Sequence, residues 1–465
     1  MLAPHTPSIN DFPITSVQSK TVHVFAAIRV RAAQAHPRVP NTLAAMPTPI
    51  ELSRRVSSLK PSVTVAFGNR AKAMARQGID VLSFSLGEPD FDTPMPIKQA
   101  AIDALLAGQT KYMPTLGDPE TRAAIAAKLR DENAITGLAA EHIAISSGGK
   151  HSIFVACHCL LDAPAPDEQP WDVLLPVPAW VSYAPIAELA GGRVVELPTR
   201  PEEDFKISPE QLRAAITPRS RVLILNSPSN PCATMYTPDE LRALARVIAD
   251  AARTIAPQLV VLSDEIYEKI VYAGIPHFSI GSVPEVAGRV LTLNGMSKAF
   301  SMTGWRVGYA AMPGDFGKRL IDAMGTLQGQ MTTNITSFVY PAIRAALGKC
   351  APDVERMREA FGARARVITK RLDEIPRLRC PRPTGAFYAF PDISAYFGTT
   401  SPKGRAIRSS LDLCEALLEE THLAFVPGED FGGCGRNHVR ISFACSENQI
   451  NRGMDRLAAF LAALR

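Results

Sequence analysis

Short runs of aliphatic and β-branched residues alternate with helical patterns from about residue 142 onwards. These runs read HIAISS, DVLLPV, RVVEL, RVLILN, LVVLS, RVLTLN and RVGYAAM, and each ends in polar or glycine-rich residues. Such alternation is typical of a mostly parallel sheet with helices on both of its faces. The chain is therefore predicted to have an α/β fold. In such a fold, ligands bind beyond the carboxyl ends of the strands.

One helix between two of these strands is predicted from its first residues. Thr237 has the position of an N-cap, Pro238 follows at the first helical position, and Glu240 completes a capping box. The apolar residues of LRALARVIADAA then recur with a helical period. We expect a helix that begins directly after Thr237.

The pattern changes near residue 341, where long amphipathic helices are followed by short strands. The helical segment is PDVERMREAFGARARVITKRLDEI, and the strand-like runs are GAFYAF, AFVPG and HVRISFA. This order predicts a smaller α+β domain that comprises residues 46–92 and 341–465. Residues 93–340 then form the large domain.

Residues 1–45 differ from the remainder, since Asp11 is their only acid and no sustained period is present. Three interpretations stay open: a mis-chosen start with the true one at Met46, a disordered extension, and a transit-like segment.

Composition favours small-molecule chemistry in a reducing compartment. The net charge of +5 over 465 residues is small and the basic residues are dispersed, so no nucleic-acid surface is expected. The eight cysteines show no disulfide framework, and no apolar run is long enough to cross a bilayer. Cys157 and Cys159 lie in an apolar helical run without a second ligand pair, so no metal is expected. These features predict a cytoplasmic protein that does not bind membranes.

Chemically active side chains follow several of the predicted strands. They are Asn230 in NSPSNP, Asp264 and Tyr267 in SDEIY, and Lys298 and Arg306 in the segment that begins GMSK. Alone, each has a common structural explanation as a cap, a turn or a surface residue. Together they match the needs of a pyridine-phosphate cofactor: an acid for the ring nitrogen, donors for the ring hydroxyl, an amine for the aldehyde and a cation for the phosphate.

The sequence from Leu52 to the C-terminus resembles the fold-type I aminotransferases, in particular their bacterial and archaeal aspartate aminotransferase branch. The resemblance is carried by LSRRVSSLKPSVTVA, LGEPDFDTP, TKYMPTLGDPETR, SSGGK, AWVSY, NSPSNP, SDEIYE, NGMSKAFSMTGWRVGY, PTGAFY and HVRIS. It implies the fold-type I architecture, a pyridoxal phosphate cofactor and a ping-pong amino-group transfer.

Residue by residue, the resemblance implies that Lys298 carries the cofactor and moves the substrate proton. Asp264 is implied to pair with the ring nitrogen, which keeps the ring an acceptor of electrons. Tyr267 and Asn230 are implied to bind the ring hydroxyl, and Trp180 to stack on the ring. An ordinary core tryptophan is the alternative for Trp180.

The phosphate is implied to lie on the amides of Gly149 and Lys150 at a helix start, with Arg306 as a charged partner. A Walker loop is excluded because His151 stands where that motif has Ser or Thr. Tyr112 matches a tyrosine that reaches the phosphate of the neighbouring subunit. The resemblance therefore implies a homodimer with shared active sites.

Substrate recognition is also implied by matched positions. Arg440 corresponds to the arginine that clamps the α-carboxylate, and Gly87 to the small residue that closes over the substrate. Lys150 and Thr64 correspond to the pair that binds a distal carboxylate. They favour aspartate or glutamate with a 2-oxo acid such as 2-oxoglutarate, and branch members use prephenate through the same pair.

Departures from the branch pattern keep other substrates and activities open. They are Ala179, His151, Cys232-Ala233, Gly295 and Met331, which stand where an aromatic, Gln, Thr-Gly, Ser and Ser are usual. An aminotransferase for aromatic or other neutral amino acids is the main alternative, and a β-lyase or decarboxylase on the same fold is a further one. A DNA-binding regulator is disfavoured because 45 residues without a helix-turn-helix pattern are too few for the required module.

Overall fold

The computed structural model describes residues 50–59, 63–272 and 274–465, apart from the side chain of Thr64. The predictions for residues 1–45 lie outside this part. Contacts divide the chain into Met1–Ser53 and Arg54–Arg465. The second unit contains the elements given below, and within its described residues none of the helices combines the length and apolar character needed to cross a bilayer.

Thirteen α-helices are present in the described residues. They are α1 (Arg54–Ser57), α2 (Val63–Arg76), α3 (Met95–Leu106), α4 (Pro119–Asn133), α5 (Gly149–Leu160), α6 (Tyr183–Leu189), α7 (Pro209–Ala215), α8 (Pro238–Thr254), α9 (Gly314–Gly329), α10 (Tyr340–Lys349), α11 (Ala351–Asp373), α12 (Ser410–Thr421) and α13 (Glu447–Ala462).

Fourteen strands are found in the same residues. They are β1 (Leu82–Ser83), β2 (Ile143–Ser146), β3 (Asp172–Val177), β4 (Arg193–Pro198), β5 (Ser220–Asn226), β6 (Val260–Asp264), β7 (Val290–Gly295), β8 (Gly308–Ala311), β9 (Tyr388–Ala389), β10 (Thr399–Thr400), β11 (Ala406–Ile407), β12 (Leu423–Ala424), β13 (Val426–Pro427) and β14 (Val439–Ser442).

The central sheet has seven strands in the order β2-β8-β7-β6-β5-β3-β4. Its neighbours pair in parallel except β8, which runs antiparallel to both β2 and β7. Each of the seven predicted strand runs supplies one of these strands. Because β5, β6 and β7 are parallel, the residues that follow Asn226, Asp264 and Gly295 lie along one edge.

Helix α8 begins as its first residues predict. Thr237 accepts a hydrogen bond from the Glu240 amide, and the Glu240 carboxylate accepts one from the Thr237 amide. The buried face of the helix includes Leu241, Leu244 and Ile248, which pack with residues of β5 and β6. The capping box therefore fixes where the helix starts, and the apolar face fixes how it packs.

A three-stranded sheet, β13-β14-β9, and helices α11, α12 and α13 surround a second apolar cluster. This cluster includes Phe67 of α2 and Phe84, so the segment before residue 92 packs with the C-terminal part of the chain. The division into domains at residues 92 and 340 stays a prediction, since Arg54–Arg465 forms one compact unit.

Candidate active site

A cavity of about 430 Å³ opens at the carboxyl edge of the central sheet. It brings together ten of the residues singled out in the sequence: Gly87, Gly149, Lys150, Trp180, Asn230, Asp264, Tyr267, Lys298, Arg306 and Arg440. These residues are separated by up to about 350 positions in the chain, and the sheet topology gathers them. Tyr112 does not line this cavity and its side chain is 89% exposed. Thr64 lies in α2, but its side chain is outside the described part.

Lys298 lies after the end of β7 and its side chain enters the cavity. Its ammonium donates a hydrogen bond to the Gly87 carbonyl oxygen, which joins the loop after β7 to the segment after β1. Burial lowers the pKa of Lys298 to about 8, because desolvation disfavours the charged form. A lysine with this pKa is mainly protonated at pH 7, but it releases its proton far more readily than an exposed lysine does.

Asp264 ends β6 and is 7% exposed. One carboxylate oxygen accepts a hydrogen bond from the Tyr183 hydroxyl at 2.7 Å, and the other accepts one from the Ile266 amide at 3.2 Å. Burial raises the pKa of Asp264 to about 6, while these two hydrogen bonds act in the opposite direction. The two hydrogen bonds thus fix the orientation of a buried carboxylate.

Arg440 of β14 is a buried guanidinium, only 4% exposed. Its two terminal nitrogens donate to Asn230 Oδ1 at 3.0 Å and to the Ser85 carbonyl at 2.8 Å. Its Nε has no hydrogen-bond partner within the described residues, and no carboxylate there pairs with it. Because a buried unpaired charge is costly, Arg440 is suited to an anion that enters the cavity.

Glycines 148 and 149 open α5 without a side-chain cap, which leaves its first amides available. Gly148 has φ of +94°, and a Cβ there would lie 2.4 Å from Arg306 Nη2. A Cβ at Gly308 would lie 2.4 Å from the Gly149 nitrogen. The turn therefore requires small residues on both sides, and it places an arginine against a helix N-terminus.

Lys150 and Trp180 form one wall of the cavity. The Lys150 ammonium lies 4.9 Å from the centre of the Trp180 ring. Desolvation and the charge of Arg306 lower the pKa of Lys150. The indole also meets the Tyr183 ring edge to face, with centroids 5.2 Å apart.

Residues 79–457 match the family model of the class I and II aminotransferases. This chain belongs to that family. The match spans the central sheet and most of the residues that line the cavity, and it ends within α13. The predicted enzyme class, an aminotransferase, is confirmed.

Curated relatives of this aminotransferase are similar over most of their length. The aspartate aminotransferase of Geobacillus stearothermophilus is 40% identical over 416 residues, which cover 89% of this chain and all of the relative. The aspartate/prephenate aminotransferase of Cereibacter sphaeroides is 41% identical over 414 residues, which cover 89% of this chain and 99% of the relative.

Solved structures agree with the fold. The Thermus thermophilus aspartate aminotransferase with maleate has a TM-score of 0.79 at 39% identity, covering 88% of this chain and 100% of its own. The Rhizobium meliloti aspartate aminotransferase has a TM-score of 0.82 at 37% identity. The similarity covers 90% of this chain and 100% of that one. The expected fold-type I architecture is confirmed.

Three residues of this aminotransferase that contact the site were not predicted from its sequence. Tyr388 and Tyr183 stand in the quoted motifs PTGAFY and AWVSY, but nothing in the sequence alone assigned them a contact. The Tyr388 hydroxyl lies 2.8 Å from the Tyr267 hydroxyl. Lys72 lines the cavity from α2 together with Val65, Gly68 and Asn69. Their spacing of three, four and seven residues puts them on one helix face, which is the signal that could have found Lys72.

The departures from the branch pattern lie away from the cavity lining. Ala179, His151, Cys232, Ala233, Gly295 and Met331 do not line it. At Gly295 the structure gives a physical reason: a Cβ would lie 2.7 Å from the Val307 carbonyl oxygen and 3.0 Å from the Gly308 Cα. A serine there would require the paired strands to separate locally.

Proposed function

We propose that this aminotransferase binds pyridoxal phosphate in the cavity and transfers amino groups between a dicarboxylic amino acid and a 2-oxo acid. The observation that carries the proposal is the placement of Lys298 and Asp264 in one cavity with the α5 N-terminus and Arg306. An amine, a buried carboxylate and an anion-binding turn are the groups that this cofactor requires.

When bound, pyridoxal phosphate supplies an aldehyde for the amines of Lys298 and the substrate, and a ring that accepts the electron pair left at the α-carbon. Asp264 would hold the proton on the ring nitrogen. Arg306 and the amides of Gly149 and Lys150 would hold the phosphate, and Trp180 would cover the ring face. Tyr267 and Asn230 would donate to the ring hydroxyl.

Lys298 would act as the proton carrier at the α-carbon. Its pKa of about 8 allows the amine to accept a proton near neutral pH and to release it again. Arg440 would clamp the α-carboxylate and so fix which α-carbon bond is broken. Gly87 would leave room above the substrate, since a Cβ there would lie 2.5 Å from the Tyr388 hydroxyl.

The charge balance of the cavity supports a dicarboxylic substrate. Asp264 is the one acid that lines it among the described residues, whereas five cations do so: Lys72, Lys150, Lys298, Arg306 and Arg440. Three of these cations already have a role in the proposal. Lys298 carries the cofactor, Arg306 binds the phosphate and Arg440 binds the α-carboxylate. Lys150 and Lys72 then have no anionic partner unless the substrate carries a distal carboxylate, to which Thr64 would add a hydroxyl.

A homodimer with shared sites belongs to the proposal. Several apolar side chains on α3 and in the segment after it are exposed, which is typical of an interaction surface. They are Met95, Ile102, Leu105, Leu106 and Tyr112, with exposed fractions between 48% and 89%. We place the phosphate of the neighbouring subunit within reach of Tyr112. The absence of disulfides among the described cysteines supports a cytoplasmic location.

A substrate panel tests the proposed function. The cofactor-loaded protein is mixed separately with aspartate, glutamate, alanine, phenylalanine and tyrosine, and the cofactor's absorbance change is followed. We expect aspartate and glutamate to react fastest. Lys150→Met is expected to raise the concentration of aspartate or glutamate needed for half-saturation about tenfold or more, because a charge-assisted contact is lost. Lys318→Met, at an exposed lysine of α9, is the matched control.

Two other outcomes would redirect the assignment. If neutral or aromatic amino acids alone react, the dicarboxylate proposal is wrong and the aminotransferase activity stands. Release of ammonia or carbon dioxide in place of a 2-oxo acid would instead identify a lyase or a decarboxylase.

A further inference from the structure

Tyr183, at the start of α6, makes a direct contact with the carboxylate at the end of β6. The residue is 2% exposed, and its hydroxyl donates to Asp264 Oδ2 at 2.7 Å. A buried phenol needs a hydrogen-bond partner, and backbone carbonyls are the usual choice. Here the partner is a carboxylate of the candidate active site.

The ring of Tyr183 makes a second contact with the same site. It meets the Trp180 indole edge to face at an interplanar angle of 87°, and Trp180 lines the cavity. The remainder of Tyr183 packs in the apolar cluster under β3 and β5, which includes Val177 and Ile186. One rigid side chain thus joins the indole wall of the cavity to its acid.

We propose that Tyr183 is a positioning residue for the cofactor ring, whose hydroxyl keeps Asp264 ionised and aimed at the ring nitrogen while its ring fixes the plane of Trp180. The inference rests on the proposed function, because it assigns Asp264 and Trp180 to a bound pyridine ring. It gives a role to Tyr183, which also lines the cavity and which the proposed function leaves without one.

The electrostatic surroundings explain why this hydrogen bond matters. Burial raises the pKa of Asp264, and the groups that face it are Tyr183, Glu265, Tyr267 and Lys298. Tyr183 and the Ile266 amide are the two hydrogen-bond donors to the carboxylate among the described residues. Burial also raises the pKa of Tyr183 well above its usual value, so the phenol keeps its proton and remains a donor.

The test compares Tyr183→Phe with Tyr236→Phe as a matched control. Tyr236 is also buried, its hydroxyl accepts one hydrogen bond from the Ile207 amide, and it does not line the cavity. For both variants, the dissociation constant of pyridoxal phosphate and the pH midpoint of the bound cofactor's absorbance change are measured. Neither readout depends on turnover.

For Tyr183→Phe we expect the dissociation constant to rise about tenfold, since a hydrogen bond to a charged group is lost. The pH midpoint should rise by about one unit, because a less ionised Asp264 leaves less positive charge on the ring nitrogen. Tyr236→Phe should leave both values unchanged. The inference is overturned if Tyr183→Phe keeps both wild-type values, or if the two variants shift them equally.

A second measurement covers the case in which Tyr183→Phe does not fold. Incorporation of 3-fluorotyrosine at position 183 keeps the shape of the residue and makes its hydroxyl a stronger donor. The pH midpoint should then fall, and an unchanged or higher midpoint would overturn the inference. If the wild-type protein does not bind the cofactor at all, the proposed function fails. If the cofactor binds and its properties do not change in Tyr183→Phe, only this inference fails.

Discussion

Replacing Lys298 with methionine should make the apoprotein more stable while it removes the proposed activity. Burial lowers the pKa of Lys298 from its ordinary value of 10.5 to about 8. Each pKa unit corresponds to about 1.36 kcal/mol, so the buried ammonium costs about 3 kcal/mol at pH 7. The variant also loses the hydrogen bond to Gly87, which contributes about 1 kcal/mol. We expect a net gain of about 2 kcal/mol.

The pH dependence gives this prediction its sign. The pKa of Lys298 is lower in the folded chain than in the unfolded chain, so the unfolded chain binds more protons between about pH 8 and 10.5. Wild-type stability therefore gains from this residue as the pH rises through that window. The advantage of Lys298→Met should be largest at pH 7 and should disappear above about pH 10.5.

Urea unfolding of both apoproteins at one fixed protein concentration, at pH 7 and at pH 10, measures the difference. Lys318→Met, at an exposed lysine, is the control and should show no comparable change. The reasoning is refuted if Lys298→Met is less stable than wild type at pH 7, or if its advantage does not shrink as the pH rises.

Three further changes have defined outcomes. Lys72→Met should raise the KM for aspartate several-fold and leave that for alanine unchanged, while Arg76→Met, one turn along the same helix, changes neither; equal effects in both variants would remove Lys72 from the site. Thr237→Ala should lower the free energy of unfolding by about 1 kcal/mol, measured in urea, because the N-cap of α8 is lost. Gly295→Ser should lower the melting temperature, since its Cβ would approach the Val307 carbonyl to 2.7 Å, and an unchanged value would contradict this.

The sequence predicted the central sheet well because its strands are buried and separated by helices. A buried parallel strand reads as an uninterrupted apolar run, so β5, β6 and β7 were evident. Because the residues that follow parallel strands lie at one edge of the sheet, the sequence also predicted that Asn230, Asp264 and Lys298 lie near one another. The start of α8 was also predicted correctly, because the capping box and the apolar period indicate the same helix.

Contacts between distant segments could not be read from the sequence. The hydrogen bonds of Arg440 to Asn230 and to Ser85 join three segments, and no pattern within any of them encodes the pairing. In the sequence Tyr183 cannot be told from an ordinary core aromatic residue, and only the structure shows that its hydroxyl donates a hydrogen bond to Asp264. Lys72 is exposed on α2, where a lysine is usual, and only the packing of that helix face against the cavity distinguishes it.

Chemical attachment of the cofactor tests the central claim most directly. The protein loaded with pyridoxal phosphate is reduced with borohydride, digested and analysed by mass spectrometry to locate the attached pyridoxyl group. We predict a single modified lysine, Lys298, and no modification in Lys298→Ala. Attachment at Lys150 or Lys72 instead, or no attachment in the loaded wild-type protein, would contradict the account.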